Sequence, residues 1–246
     1  MLVGDREIFA EAAQDWPGTP TLTVAGPLTL AACIDLPRAG RAIGDHGARR
    51  DIAQSWAVGV GDFLRDTVRL IARAFAVQID EPCLAMVLDG GVPDESGRSL
   101  LPPVDRQEAR RVLAGAVEAA RAGGDQVVVH CCAVDPHLDV LGGAGADALS
   151  LDVRDRGSGF WDELARWCSG NPERRLWLGL VGADETEQGA SVIARRLALA
   201  RARLDVAGGS TRPADWAITP ACGLARAPGT GQWRILRDLT RVAADA

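Results

Sequence analysis

The amino-acid sequence predicts an α/β protein with a (β/α)8 TIM-barrel-like architecture, of which about six strand-helix units are visible. Short apolar runs alternate with amphipathic segments, which is typical of parallel strands joined by right-handed helical crossovers. Polar residues collect at the ends of successive apolar runs, where barrel enzymes carry their chemistry. No glycine-rich dinucleotide fingerprint follows any of these runs. The sequence therefore favours the barrel over the competing architecture, an open doubly wound sheet.

Six segments are predicted to be strands, because their apolar residues run nearly without interruption, as in parallel strands buried on both faces. In chain order they are residues 21–25, 74–79, 126–131, 148–152, 176–181 and 216–219. The predicted helices are residues 5–14, 48–73, 106–121, 160–167, 189–204 and 231–243. The clearest is 106–121, where alanine, valine and leucine recur every three or four residues until Gly123 and Gly124 stop the pattern.

Composition narrows the classes of function. A chain of 246 residues without an interdomain linker is expected to form a single domain spanning residues 1–246. The net charge of −6 and the scattered basic residues argue against a nucleic-acid partner. No apolar run approaches the roughly 20 residues that a membrane span needs. The first residues carry no signal-peptide pattern, so we expect a cytoplasmic protein whose six cysteines are reduced.

Histidine and cysteine side chains lie at the ends of two predicted strands. His130 and Cys132 end the third strand and point the same way, because side chains alternate along a strand. Cys222 ends the sixth strand. One imidazole and two thiolates form a borderline-soft ligand set that zinc fits best. The sequence therefore predicts a zinc site, against the alternative that these are ordinary core residues.

Acidic residues end three other strands. Asp80 and Glu81, after the second strand, point in opposite directions and are candidate substrate-binding residues, with helix capping by one of them as the alternative. Asp152, after the fourth strand, is either a fourth metal ligand or a solvent-facing acid, and Asp155 in the following loop is its rival. Asp184 follows the fifth strand and either acts in the site or caps the next helix.

Four motifs together resemble the C-terminal catalytic domain of cobalamin-independent methionine synthase, a member of the uroporphyrinogen-decarboxylase-like barrels. They are Ala25-Gly26-Pro27-Leu28-Thr29, Gln78-Ile79-Asp80-Glu81-Pro82, His130-x-Cys132 and Thr219-Pro220-Ala221-Cys222-Gly223-Leu224. They occur in the order and rough spacing of that family, and the resemblance runs from about residue 21 to the C-terminus. The His-x-Cys and Cys-Gly-Leu motifs are specific in combination, whereas the Gly-Pro-x-Thr motif alone is weak.

The resemblance implies a catalytic centre for methyl transfer. It implies a Zn2+ ion held by four side chains: His130, Cys132, Asp152 and Cys222. Asp152 stands where the family has the longer glutamate. Asp80 corresponds to the acid that binds the amino group of homocysteine, and Asp184 or its neighbourhood corresponds to a catalytic histidine.

The chain departs from the family at its start, because the first two barrel strands are not recognisable. We expect strands three to eight after one helix, with the open edges covered in a longer protein, by a partner or by a second copy in a homo-oligomer. The expected activity is a zinc-dependent S-methyltransferase that makes methionine from homocysteine, with a methylated folate or a methylcorrinoid as methyl donor. The alternative is a non-catalytic metal-binding barrel protein. A decarboxylase is disfavoured, because only Arg226 and Arg154 lie near strand ends.

Overall fold

The computed structural model describes residues 3–37, 40–208 and 216–245 and has an α/β architecture. Its strands are β1 (Thr21–Ala25), β2 (Asp35–Leu36), β3 (Gly40–Arg41), β4 (Ala76–Asp80), β5 (Gln126–Cys131), β6 (Ala148–Asp152), β7 (Arg175–Val181) and β8 (Trp216–Pro220). Its α-helices are α1 (Val3–Gln14), α2 (Pro27–Cys33), α3 (His46–Ile71), α4 (Leu84–Asp89), α5 (Arg106–Ala120), α6 (Leu138–Leu141), α7 (Ser158–Gly170), α8 (Gly189–Gly208) and α9 (Gly231–Ala244). Within these residues, no helix combines the length and apolar character needed to cross a bilayer.

A parallel sheet of six strands, flanked by helices, runs through the described residues in the order β1-β4-β5-β6-β7-β8. This confirms the six predicted strands, and the arrangement is consistent with a barrel-like α/β fold. Closure into an eight-stranded barrel stays a prediction. β2 and β3 form a separate antiparallel pair that the sequence did not predict.

The internal contacts divide the chain into two compact units. One comprises the described residues up to His130 together with Asp139–Ala146, and the other comprises Cys131–Leu138 together with the described residues from Asp147 onwards. In the first unit, β4 pairs in parallel with β1 and with β5. Helices α3 and α5 contact each other, and Arg49 of α3 binds both carboxylate oxygens of Glu108 on α5 at 2.7 and 3.1 Å.

In the second unit, β7 pairs in parallel with β6 and with β8. Helix α9 buries one apolar stripe, because Ile235, Leu239 and Val242 recur at the three- and four-residue spacing of a helix face. Gly179 of β7 allows a close approach to the segment after β8. A β-carbon at this position would lie 2.6 Å from the α-carbon of Ala221, a distance that real side chains do not adopt.

Element boundaries differ from the sequence-based ones by a few residues. Helix α3 begins at His46 rather than at residue 48, because the Asp45 side chain accepts a hydrogen bond from the Ala48 N–H and caps the helix. Strand β4 spans Ala76–Asp80 rather than 74–79. Phe75 lies outside the ladder, fully buried, and its N–H donates to a carboxylate oxygen of Asp125 at 3.1 Å.

Candidate metal centre

The carboxyl ends of β4 and β5 lie side by side. Asp80, the last residue of β4, is in register with His130 of β5. The next amide continues this pairing, since the Glu81 N–H donates to the His130 carbonyl at 2.8 Å. Parallel pairing thus brings the acids that end β4 next to the histidine near the end of β5.

Three of the predicted ligands come together. One ligand atom from each of His130, Cys132 and Cys222 lies within 4.8 Å of the other two. His130 is buried, Cys132 is half-buried and Cys222 is exposed, so the group has a buried side and an accessible side. This cluster could bind a metal ion.

The two thiols of the cluster contact each other. Burial, and then the neighbouring Cys222 thiol, raise the pKa of the Cys132 thiol to about 12. Two thiols held together in this way are protonated when no cation is near, because a thiolate beside a second sulfur in a partly buried place is poorly stabilised. A bound cation would reverse this preference, since metal coordination deprotonates a thiol.

An arginine fixes the loop that follows Cys132. The Arg156 guanidinium donates to the carbonyls of Ala133 and Val134 at 3.0 and 2.9 Å, and to the carbonyl of Asp152 at 2.7 Å. Its side chain is only 6% exposed. Because one planar guanidinium group binds all three carbonyls, it holds these backbone segments in one conformation. The loop beside Cys132 is therefore positioned by a residue that the sequence analysis did not single out.

The turn that carries Cys222 is held by the end of β7. The Ala221 N–H donates to the Val181 carbonyl at 2.8 Å, two residues after Gly179 has let the backbones approach. Cys222 follows directly and projects from this turn. The backbone is thus anchored immediately before Cys222, which is exposed.

Asp152, the predicted fourth ligand, lies outside the three-residue cluster. Both of its carboxylate oxygens accept hydrogen bonds from Arg154, at 3.1 Å from Nε and 2.9 Å from Nη2, and one accepts from the Arg154 backbone N–H at 2.9 Å. Arg154 is also paired with Glu185, at 2.8 Å. In the structure the Asp152 carboxylate therefore binds a guanidinium group, whereas the resemblance implies that it binds the metal.

Asp80 is half-buried and lies in register with His130. Gln78, on the same face of β4, donates to it at 2.8 Å. Burial raises its pKa, and the Gln78 hydrogen bond and the charge of His130 act in the opposite direction. A carboxylate in this position is suited to bind a cationic group, because an ammonium partner strongly stabilises the charged form of a partly desolvated carboxylate.

Glu81 points the other way, as the alternation along the strand predicted, and is fully buried. Its two oxygens accept hydrogen bonds from the N–H groups of Leu28 and Thr29 at 3.0 and 2.7 Å, and from the Thr29 hydroxyl at 2.7 Å. Gly26 makes room for it, since a β-carbon there would lie 2.3 Å from the carboxylate. Burial raises the pKa of Glu81 to about 7, against these hydrogen bonds. Its observed contacts are those of a cap on the first turn of α2, and its predicted substrate contact stays a prediction.

Asp184 is exposed in the turn between β7 and α8, and its predicted catalytic role stays a prediction. Its neighbour Glu185, in contrast, is held by several hydrogen bonds. Arg196 binds both Glu185 oxygens at 2.9 and 2.6 Å, and the Gly182 N–H donates at 2.7 Å. Hydrogen bonds, from Arg196 above all, lower the pKa of Glu185 to about 2.

Comparison of the chain with protein-family models and with curated proteins finds no match. The family resemblance therefore stays a prediction that rests on the four sequence motifs.

Proposed function

We propose that this chain is a zinc-dependent S-methyltransferase of the methionine synthase type, which transfers a methyl group to the thiol of homocysteine. The observation that carries the proposal is the cluster of His130, Cys132 and Cys222, whose ligand atoms lie within 4.8 Å of one another. The six-stranded sheet belongs, in this proposal, to a cytoplasmic TIM-barrel-type enzyme.

The donor set suits zinc. Tetrahedral sites place nitrogen at about 2.1 Å and sulfur at about 2.3 Å from the ion, and hence the ligand atoms about 3.6 to 3.8 Å apart. A contraction of at most about 1 Å therefore brings the cluster to that spacing. Structural zinc sites use four protein ligands, whereas catalytic sites use three and keep one position open. With Asp152 bound to Arg154, the described residues supply three ligands, and the fourth position is left for a substrate thiol.

When bound, the zinc ion lowers the pKa of a thiol at the fourth position. His130, Cys132 and Cys222 would hold the ion, and the exposed side of Cys222 gives the substrate a way in. Asp80 would accept the ammonium group of homocysteine and so orient its sulfur. In the overall reaction the sulfur loses its proton and forms a bond to the methyl carbon. The bond from that carbon to the donor breaks, and its electron pair stays on the donor.

The sheet edges support a further part of the proposal, a homo-oligomer. β1 stands at one end of the strand order, and its residues Thr21, Thr23 and Ala25 are exposed. β8 stands at the other end, and all of its residues are half-buried. Stable proteins protect their exposed strand edges, and pairing with a second copy of the chain would be one way to do so.

The first test is the zinc content per chain, measured by elemental analysis on wild type, Cys222→Ser and Cys33→Ser. Cys222 and Cys33 are both exposed, so the second variant is a matched control. We expect one zinc per chain in wild type and in Cys33→Ser, and little or no zinc in Cys222→Ser, because that variant keeps only two of the three ligands. Equal zinc in all three proteins, or zinc in none, would remove the site.

The second test is methionine formation from homocysteine by the zinc-loaded chain, with methyltetrahydrofolate and with methylcobalamin as separate donors. Asp80→Asn should raise the KM for homocysteine more than it lowers kcat, because the carboxylate binds the amino group. A chain that holds zinc but makes no methionine from either donor would contradict the enzymatic part alone.

That outcome would support the second candidate, a metal-binding protein without this activity. Two departures of the sequence from the family favour it: the first two barrel strands are not recognisable, and Asp152 stands where the family has the longer glutamate.

A further inference from the structure

A second pair of cysteines lies together in the first unit. Cys33 is the last residue of α2, and Cys83 stands directly before α4. The two residues are separated by about fifty positions in sequence. In the structure the two thiols are neighbours: burial, and then the nearby Cys33 thiol, raise the pKa of the Cys83 thiol.

The backbone around the two residues explains why they meet. Thr29 and Cys33 are four residues apart in α2 and therefore lie on the same helix face, one turn from each other. The Thr29 hydroxyl accepts a hydrogen bond from the Cys83 N–H at 3.3 Å. That bond brings the start of α4 to the face of α2 on which Cys33 lies.

Both partners are also held firmly. The last turn of α2 is regular up to its end, since the Ile34 N–H donates to the Leu30 carbonyl at 2.9 Å. The Cys83 carbonyl accepts from the Val87 N–H at 2.9 Å, within the first turn of α4. A disulfide requires two cysteines whose Cβ atoms can come close together, and two neighbouring thiols on fixed backbones are candidates for such a bond.

Accessibility differs between the two thiols in a useful way. Cys33 is exposed, and Cys83 is half-buried behind it. A dissolved oxidant therefore reaches Cys33 first, and Cys83 is in place to react with the product. The remaining cysteines differ: Cys131 and Cys168 are buried, and Cys132 and Cys222 belong to the candidate metal centre.

We propose that Cys33 and Cys83 form a reversible disulfide and are a redox-sensitive site of this protein, with a low-molecular-weight disulfide such as oxidised glutathione as the oxidant. The Cys33 thiolate attacks one sulfur of oxidised glutathione, forms a mixed disulfide and releases one glutathione thiolate. The Cys83 thiolate then attacks the Cys33 sulfur and releases the second glutathione. The two protein thiols lose two protons and two electrons in total, and oxidised glutathione is reduced to two glutathione molecules.

The disulfide would join the end of α2 to the segment that follows β4, the strand that carries Asp80. It would close the chain between residues 33 and 83 into one loop, and so restrain α2 relative to the strand end. The proposal does not depend on the proposed function, because neither thiol belongs to the metal centre.

The test is equilibration of the zinc-supplemented full-length chain in oxidised and reduced glutathione, followed by alkylation and peptide mass spectrometry. In wild type we expect the number of free thiols to fall by two and a cross-linked peptide to contain Cys33 and Cys83. Reducing agent should restore both thiols. Cys33→Ser should lose the cross-link, whereas the matched control Cys168→Ser should keep it. Far-UV circular dichroism checks that both variants are folded.

Three results would overturn the proposal. They are thiols that stay reduced at every glutathione ratio, a glutathione adduct on Cys33 that never passes to Cys83, and a cross-link that joins Cys132 to Cys222 alone. Zinc binding and methionine formation are measured separately, so a failure here is distinguishable from a failure of the proposed function.

Discussion

Replacement of Glu185 by glutamine tests the ion-pair network behind the candidate site. Glu185 accepts hydrogen bonds from Arg196, Arg154 and the Gly182 N–H, and its side chain is 16% exposed. The variant keeps the shape of the side chain and removes its charge. It leaves two partly buried guanidinium groups with one carboxylate partner fewer, so we expect it to lower the free energy of unfolding.

The magnitude follows from the pKa of Glu185, which is lowered from 4.5 to about 2. A pKa change of one corresponds to about 1.4 kcal/mol, so the pKa difference of about 2.5 corresponds to about 3 kcal/mol of stabilisation. Solvent screening at a partly exposed side chain reduces this value, and we expect about 2 kcal/mol at neutral pH. Because the folded-state pKa lies below the unfolded one, the stabilisation is present above about pH 4.5 and is lost as the pH falls towards 2.

The assay is urea denaturation of wild type and Glu185→Gln, followed by tryptophan fluorescence at several pH values from about 7 down to about 3. The difference in unfolding free energy should fall to less than half its neutral value by about pH 3. Glu187→Gln is the control, because Glu187 is 81% exposed and its pair with Arg234 should contribute under about 0.5 kcal/mol. A difference that is absent at neutral pH, or that persists unchanged at low pH, would refute the reasoning.

Two further substitutions test the packing at the strand ends. Glu81→Gln should lower the free energy of unfolding by about 2 kcal/mol, because one buried donor of α2 then faces an amide NH2 group. The control is Glu118→Gln, on an exposed face of α5, which should change the free energy of unfolding by under about 0.5 kcal/mol. Equal changes in Glu81→Gln and Glu118→Gln would show that the buried cap does not stabilise the fold. Gly179→Ala should cost about 1–3 kcal/mol and weaken zinc binding, because its β-carbon meets Ala221 beside the Cys222 turn. Gly115→Ala has open space in α5 and should be neutral or stabilising, so an identical response of the two variants would contradict the argument.

The sequence indicated the strands well where the physical signal is local and continuous. The run Val127–Val129 is fully buried in β5, and its unbroken apolar pattern predicts a central strand. The short helix α2 was not predicted as an element, because seven residues give little periodicity. Its first turn is capped by Glu81, more than fifty residues away, and no local pattern reveals such a partner.

The candidate site shows the same limit. Strand-end positions sufficed to predict that His130, Cys132 and Cys222 would meet, because parallel strands bring their carboxyl ends to one edge of the sheet. They did not predict that Arg154 would bind Asp152, although the two are only two residues apart. The choice between a metal and a guanidinium depends on side-chain conformation, and spacing along the chain does not determine it.

The pairing of Asp152 with Arg154 bears on the kind of site that the cluster can form. Arg154 has a second carboxylate partner in Glu185, so a release of Asp152 would not leave the guanidinium without an acid. With Asp152 released to a metal, four protein ligands would make a closed site, which is typical of structural zinc. With Asp152 kept by Arg154, the metal would have three protein ligands and one open position, which is typical of catalytic zinc. The conformation observed here is the second one. In the proposed function, its open position is the place that a substrate thiol would occupy.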